Sequence, residues 1–546
     1  MHCTAASLGN CLFGRHQAIP ACPILVATYF TKGPCQPVSM LTLGHITLHT
    51  MSASWADEPA SLLDIFRALI VLTLVYIATR SLYNIYFHPL AGFPGPFLAR
   101  ASLAWRIYHS MGGRFHRAID DQHRRYGPVF RVSPNELSFA SVASWKAIYG
   151  HRATGQHPLV KSKFYEIYGA GFGSLCIGSE RDPEKHTRMK KSLSPAFSLR
   201  CLGDQEVIVS QCVDRFISRL GEPELNAGGL NMTKWYEMVA FDILGELAFG
   251  ESFHSIEDGK PHFWSSLVED HLYFITVADN FRHFPVVALT AKLLSPFLDG
   301  IRKKHTGYTR DKVARRINLS SPRKDFMANL IGKVESDEMD REELTAHAST
   351  LVIAGGETVA TFLAATTFYL LRNDATYQRL KAEIRGHFNS YAEITCTTAQ
   401  TLPYLQAVIS EGLRIYPPGS QGFPRVSPGV SIDGFWVPAG AEVYTSAWTV
   451  THDGTNFHDP HSFKPERWID PDCADIKEAS QPFSLGTRAC LGRNVAYMEI
   501  NLILARLVWM YDMEMVDKSM DWEAESSLHV MWSKPELKVR FRQARA

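Results

Sequence analysis

One ten-residue stretch limits what this chain can become: Phe483-Ser484-Leu485-Gly486-Thr487-Arg488-Ala489-Cys490-Leu491-Gly492. Its lone cysteine stands at fixed offsets from an aromatic residue, two glycines and an arginine, and an apolar helical run from Asn494 to Ile500 follows at once. Glycines let the backbone turn tightly and aim N–H groups at a sulfur. Those donors, with the start of the following helix, are expected to lower the thiol pKa. The pattern suits a thiolate ligand to haem iron, which pushes electron density onto the metal. A free cysteine taken alone is more simply a buried structural residue. Agreement at all the flanking positions speaks against that.

On these markers the chain resembles the cytochrome P450 family, whose haem signature is Phe-x-x-Gly-x-Arg-x-Cys-x-Gly. The resemblance runs from about Pro89 to the C-terminus and is nearest to fungal microsomal enzymes of secondary metabolism. It implies a mainly α fold with small β-sheets, preceded by an N-terminal membrane-anchor helix. It also implies haem b (iron protoporphyrin IX) held by Cys490, with Phe483, Gly486, Arg488 and Gly492 shaping the loop.

Residues 348–371 carry a single charged side chain, Glu357. Length and apolarity would permit a membrane span. Gly355-Gly356 and the central carboxylate favour a helix buried in protein instead. Ala354-Gly355-Gly356-Glu357-Thr358 matches the family's Ala/Gly-Gly-x-Asp/Glu-Thr. The glycines are expected to let haem and dioxygen approach the backbone. Thr358 is expected to bond back to the Ala354 carbonyl and open a groove. By resemblance, Glu357 and Thr358 relay protons.

Other residues carry over by resemblance. Glu411, Arg414 and Arg467 would form a buried structural lock, though an exposed i,i+3 pair is the simpler reading of Glu411 and Arg414 alone. Arg425 and Arg488 would meet the haem propionates. His186 and Lys190 stand where relatives have Trp or His followed by Arg. Lysine keeps the charge but loses the bidentate fork, and a solvated basic helix face is the alternative.

The N-terminal region divides by composition. Residues 1–50, with four scattered cysteines and no basic start, are expected to be a disordered extension or a gene-prediction artefact. Residues 61–86 form the expected anchor. Its charge-free core, Ala68 to Thr79, is short of the roughly 20 residues a span needs. Residues 87–98, rich in Pro and Gly, form a stiff hinge, and 99–546 the haem-binding catalytic domain. Within it, Val129–Val132 and Glu136–Phe139 read as paired strands, and Leu528–Phe541 as a closing hairpin. Residues 262–294 are dense in aromatics and, by resemblance, roof the substrate pocket.

Near-balanced charge, 56 basic against 55 acidic residues, argues against a nucleic-acid partner. The ten cysteines show no Cys-x-x-Cys pair, which suits a reducing compartment. The resemblance implies a monooxygenase that inserts one oxygen atom from O2 into an apolar small molecule, by hydroxylation or epoxidation. The chain after Cys490 is too short for a flavin domain. Electrons are therefore expected from NADPH through a separate NADPH-cytochrome P450 reductase, with cytochrome b5 as an optional second donor. Lys190, Lys191 and Arg493 are candidates for its docking face. The implied location is the endoplasmic reticulum membrane, with the catalytic domain in the cytosol. A reductase-independent haem-thiolate isomerase or dehydratase, and a non-catalytic haem sensor, stay open as alternatives.

Overall fold

The computed structural model describes residues 61–544 except 153, 154, 156, 170, 285–305 and 320–324. The expectation for residues 1–50, and the end of the aromatic stretch 262–294, lie outside the described residues. The chain divides into two compact units, Met1–Ala68 and Leu69–Ala546. The first contributes only the opening of the helix Leu62–Tyr86, where Asp64 and Arg67 pair at 3.3 Å one turn apart.

That helix is 25 residues long. At about 1.5 Å per residue it exceeds a hydrocarbon core of about 30 Å. The charge-free run made the segment look marginal. The Asp64–Arg67 pair satisfies both charges within the helix, so the helix runs on past them. Apolar side chains from Leu69 to Ile77 are exposed. It is one apolar N-terminal helix of a membrane anchor's length and surface.

The second unit is mainly helical, with four small sheets among the described residues. The largest orders its strands Val129–Ser133, Glu136–Phe139, Glu442–Thr445, Arg425–Val426 and Val160–Lys161. The first two form the expected antiparallel pair, and the third joins parallel to the second. The Pro/Gly segment is clamped to this sheet. Arg131 N donates to Pro94 O at 2.7 Å, and a Cβ on Gly95 would stand 2.6 Å from Arg131 O. The buried Arg131 guanidinium donates to the Asn84 and Pro134 carbonyls.

The core forms around the helix Arg341–Arg372, which packs along Met232–Phe249. The two approach closely because of Gly355 and Gly356. A Cβ at Gly355 would stand 2.7 Å from Leu244 Cδ1, and one at Gly356 2.9 Å from the Phe241 ring. The expectation that these glycines admit haem and dioxygen is therefore corrected: their bare sides face a neighbouring helix. The helix Arg493–Met510 packs against Arg341–Arg372 and against Leu199–Leu220.

The closing segment also departs from expectation. Ser527–His529 and Met531–Ser533 make a tight hairpin turning at Val530. Lys538–Gln543 leaves that hairpin and pairs with Tyr511–Met515 and Leu230–Asn231. Pro535 between them helps break the ladder.

Candidate active site

The cysteine loop is held by backbone bonds. Cys490 N donates to Phe483 O at 2.9 Å. Ser484 and Gly486 adopt positive φ, 57° and 72°. Gly486 admits no side chain, since a Cβ would come within 2.2 Å of Tyr149 O. Gly492 caps the helix Arg493–Met510, and a Cβ there would meet open space. Phe483 lies 5.3 Å from the Tyr497 ring, with the Arg493 guanidinium 5.8 Å over its own. Backbone N–H groups of Gly492 and Arg493 bond to the Cys490 sulfur and pull its pKa down. Burial outweighs them, so the thiol lies above its usual range rather than below it, as the sequence reading expected. Cys490 nonetheless keeps an exposed surface. A coordinating metal would deprotonate such a thiol outright.

Cations crowd together near this loop. Arg425 donates to Tyr165 Oη at 2.8 Å, and Arg488 to the carbonyls of Glu180 and Arg181 at 2.6 and 3.0 Å. Lys161 donates to Ile177 O and Gly178 O at 2.9 and 2.6 Å. Burial, then Arg488 and Arg425, push the Lys161 amine down to about 7. Burial, then Arg488, Lys161 and Lys190, push the His186 imidazole down to about 3. Among the described residues, Arg425, Arg488 and Lys161 have no carboxylate within ion-pair distance. This uncompensated positive charge fits the two propionates of haem b.

Of the expected contacts, Arg425, Arg488 and His186 join this group. Lys190 instead donates to Thr487 O at 2.8 Å, so it braces the cysteine loop. Lys161 and Tyr165 were missed, because a lone lysine in a Gly- and aromatic-rich loop carries no motif.

On the central helix, Thr358 Oγ1 donates to Ala354 O at 2.8 Å. Ala354 is exposed and Thr358 half-buried, on a helix otherwise largely covered. Glu357 points into protein. It accepts from Thr361 Oγ1 at 3.2 Å and forms a buried ion pair with Lys534, which sequence reasoning did not find.

The structural lock closes around Glu411. Arg414 grips its carboxylate with two bonds of 2.8 Å, Arg467 Nε reaches it at 3.2 Å and Trp468 Nε1 at 2.9 Å. Glu411 and Arg414 are fully buried.

Comparison with known proteins agrees with this geometry. The profile of the family described as Cytochrome P450 matches residues 94–541. "Cytochrome P450 monooxygenase ORF9" of Penicillium roqueforti is 61% identical over 469 residues, covering 86% of this chain and 92% of that protein. "Cytochrome P450 monooxygenase BOT4" of Botryotinia fuckeliana is 52% identical over 480 residues, covering 87% and 90%. "Cytochrome P450 monooxygenase BOA3" of the same species is 39% identical over 487 residues, covering 87% and 95%. With its cysteine loop, a cation cluster suited to haem b and this match over most of its length, the chain belongs to the cytochrome P450 family of monooxygenases.

Proposed function

We propose that the protein inserts one oxygen atom from O2 into an apolar intermediate of fungal secondary metabolism, by hydroxylation or epoxidation. The Cys490 loop carries this reading: one sulfur, two backbone N–H groups aimed at it, and an uncompensated set of cations nearby. When bound, haem b supplies the oxygen-activating chemistry.

The chain's own residues do the rest. Cys490 Sγ, as thiolate, would be the iron ligand, with the N–H groups of Gly492 and Arg493 to hold its charge. Arg425, Arg488 and Lys161 would take the propionates, with His186 beside them as a neutral imidazole. Thr358, bonded back to Ala354, occupies the exposed stretch of the central helix, and Glu357 next to it, paired with Lys534 at rest, passes on the protons that this helix delivers. A reductase-independent isomerase has no use for this acid–alcohol pair.

Electrons come from NADPH through NADPH-cytochrome P450 reductase, and Lys191 and Arg493, both exposed, offer it a cationic face. The helix Leu62–Tyr86 tethers the protein to the endoplasmic reticulum membrane.

Expression with a reductase, in a host fed terpenoid, polyketide and alkaloid intermediates, tests the reading by mass spectrometry. A product heavier by one O2-derived oxygen is expected, together with the red-shifted Soret band of the reduced CO complex. Both should be lost in Cys490→Ser. Turnover that needs neither reductase nor O2 would overturn it.

A further inference from the structure

Glu357 is one end of a buried row of ionisable side chains that reaches the surface. Its Oε1 pairs with Lys534 Nζ. Lys534 Nζ lies 3.3 Å from Glu237 Oε1, and Glu237 Oε2 lies 3.0 Å from Lys234 Nζ. The side chains of Glu357, Lys534 and Glu237 are 4%, 2% and 3% exposed, whereas that of Lys234 is 40% exposed. Each link is within reach of a proton hop, and only the outer end is wetted.

The row is built from three separate parts of the chain. Glu357 belongs to the central helix Arg341–Arg372, and Lys234 and Glu237 to Met232–Phe249. Lys534 follows the closing hairpin. Its loop is fastened to the start of Met232–Phe249 by Thr233 Oγ1 to Pro535 O and Met232 N to Leu537 O, each at 2.7 Å. Tyr236 Oη and Thr367 Oγ1, 2.8 Å apart, tie the two helices together. Glu237 Oε1 is buried, lies in ion-pair range of Lys534 and makes no hydrogen bond. Burying three charges merely for stability is a poor bargain, since apolar residues of similar volume often serve as well.

We propose that Lys534 and Glu237 form the route by which Glu357 is reloaded with protons from solvent. The inference rests on Glu357 acting as the proton donor beside Thr358. When Glu357 gives up its proton, an N–H bond of the Lys534 ammonium breaks and an O–H bond forms on Glu357. Glu237 takes a proton at the Lys234 end, where solvent enters, and its new O–H bond then breaks as the neutral Lys534 amine regains an N–H bond, which leaves Glu237 a carboxylate again. No electron moves along the row, and each bond broken is matched by one formed. Lys534 and Glu237 act through Glu357 and so are positioning residues.

The test uses the full-length haem-loaded protein with reductase in lipid nanodiscs, without organic substrate. The share of consumed NADPH recovered as hydrogen peroxide rather than water is measured in H2O and in D2O. Lys534→Met and Glu237→Gln should each raise the peroxide share about fivefold or more and enlarge the solvent isotope effect. Lys534→Arg should restore both to within about twofold of the native protein. Infrared spectra of the ferric protein give a readout independent of turnover. Lys534→Met should produce a protonated-carboxyl band that disappears when Glu357→Gln is added. If Lys534→Met fails to fold, the near-isosteric Glu237→Gln decides. Native peroxide share and isotope effect in Glu237→Gln and Lys534→Met, with a defect in Glu357→Gln, would overturn the route and leave the Glu357 reading standing. No defect in Glu357→Gln would overturn both.

Discussion

Glu499 sits on the helix that begins just after the cysteine loop. It is fully buried, neither carboxylate oxygen has a hydrogen-bond partner among the described residues, and burial pushes its pKa up to about 8. The unfolded chain releases this proton near 4.5, the folded one near 8. Its contribution to stability is therefore complete below pH 4.5, shrinks as pH rises and is lost above 8. Glu499→Gln should stabilise the protein on the order of 3 kcal/mol at pH 7. The gain should vanish near pH 4.5, as read from thermal unfolding across that range. A gain that does not depend on pH would mean that the carboxyl is already ionised in the fold.

Between elements, the two glycines of the central helix set the spacing to Met232–Phe249. Gly355→Ala would drive a methyl into Leu244 and should cost about 1–3 kcal/mol in urea unfolding. Adding Leu244→Ala should recover part of that loss. Glu411→Gln should cost about 3–5 kcal/mol by the same measurement, because it takes the carboxylate from the fully buried Arg414, while Arg467 keeps its ion pair with Asp475. The lock was legible through the family resemblance alone, since Glu411 and Arg414, three residues apart, read more simply as an exposed pair. The cysteine loop was legible by itself, since its chemistry is compressed into ten residues. Lys534 was not: it meets Glu357 only because Thr233 and Met232 fasten its loop to a helix encoded some 300 residues earlier. The role of Gly355 and Gly356 was misread because spacing shows that a side is bare, not what faces it. The closing hairpin was drawn too long because strand pairing to Tyr511–Met515 is a choice made in three dimensions.

At the scale of the whole molecule, the balanced net charge conceals local asymmetry. Lys191 and Arg493 are exposed near the cysteine loop, where an acidic reductase face would approach. Lys191→Glu with Arg493→Glu should slow haem reduction about tenfold at low salt, and added salt should narrow the gap to the native protein. Stopped-flow reduction at two ionic strengths checks this. The joint between helix and body also bears on handling. Because the buried Arg131 guanidinium donates, among the described residues, to the carbonyls of Asn84 and Pro134 alone, the last turn of the N-terminal helix completes the core of the body. Whoever shortens this chain for crystallography should cut upstream of Asn84. A start at residue 82 should give a monodisperse, pigmented product, whereas one at residue 90 takes one of its two carbonyl acceptors from a buried arginine and should come out of the column as aggregate.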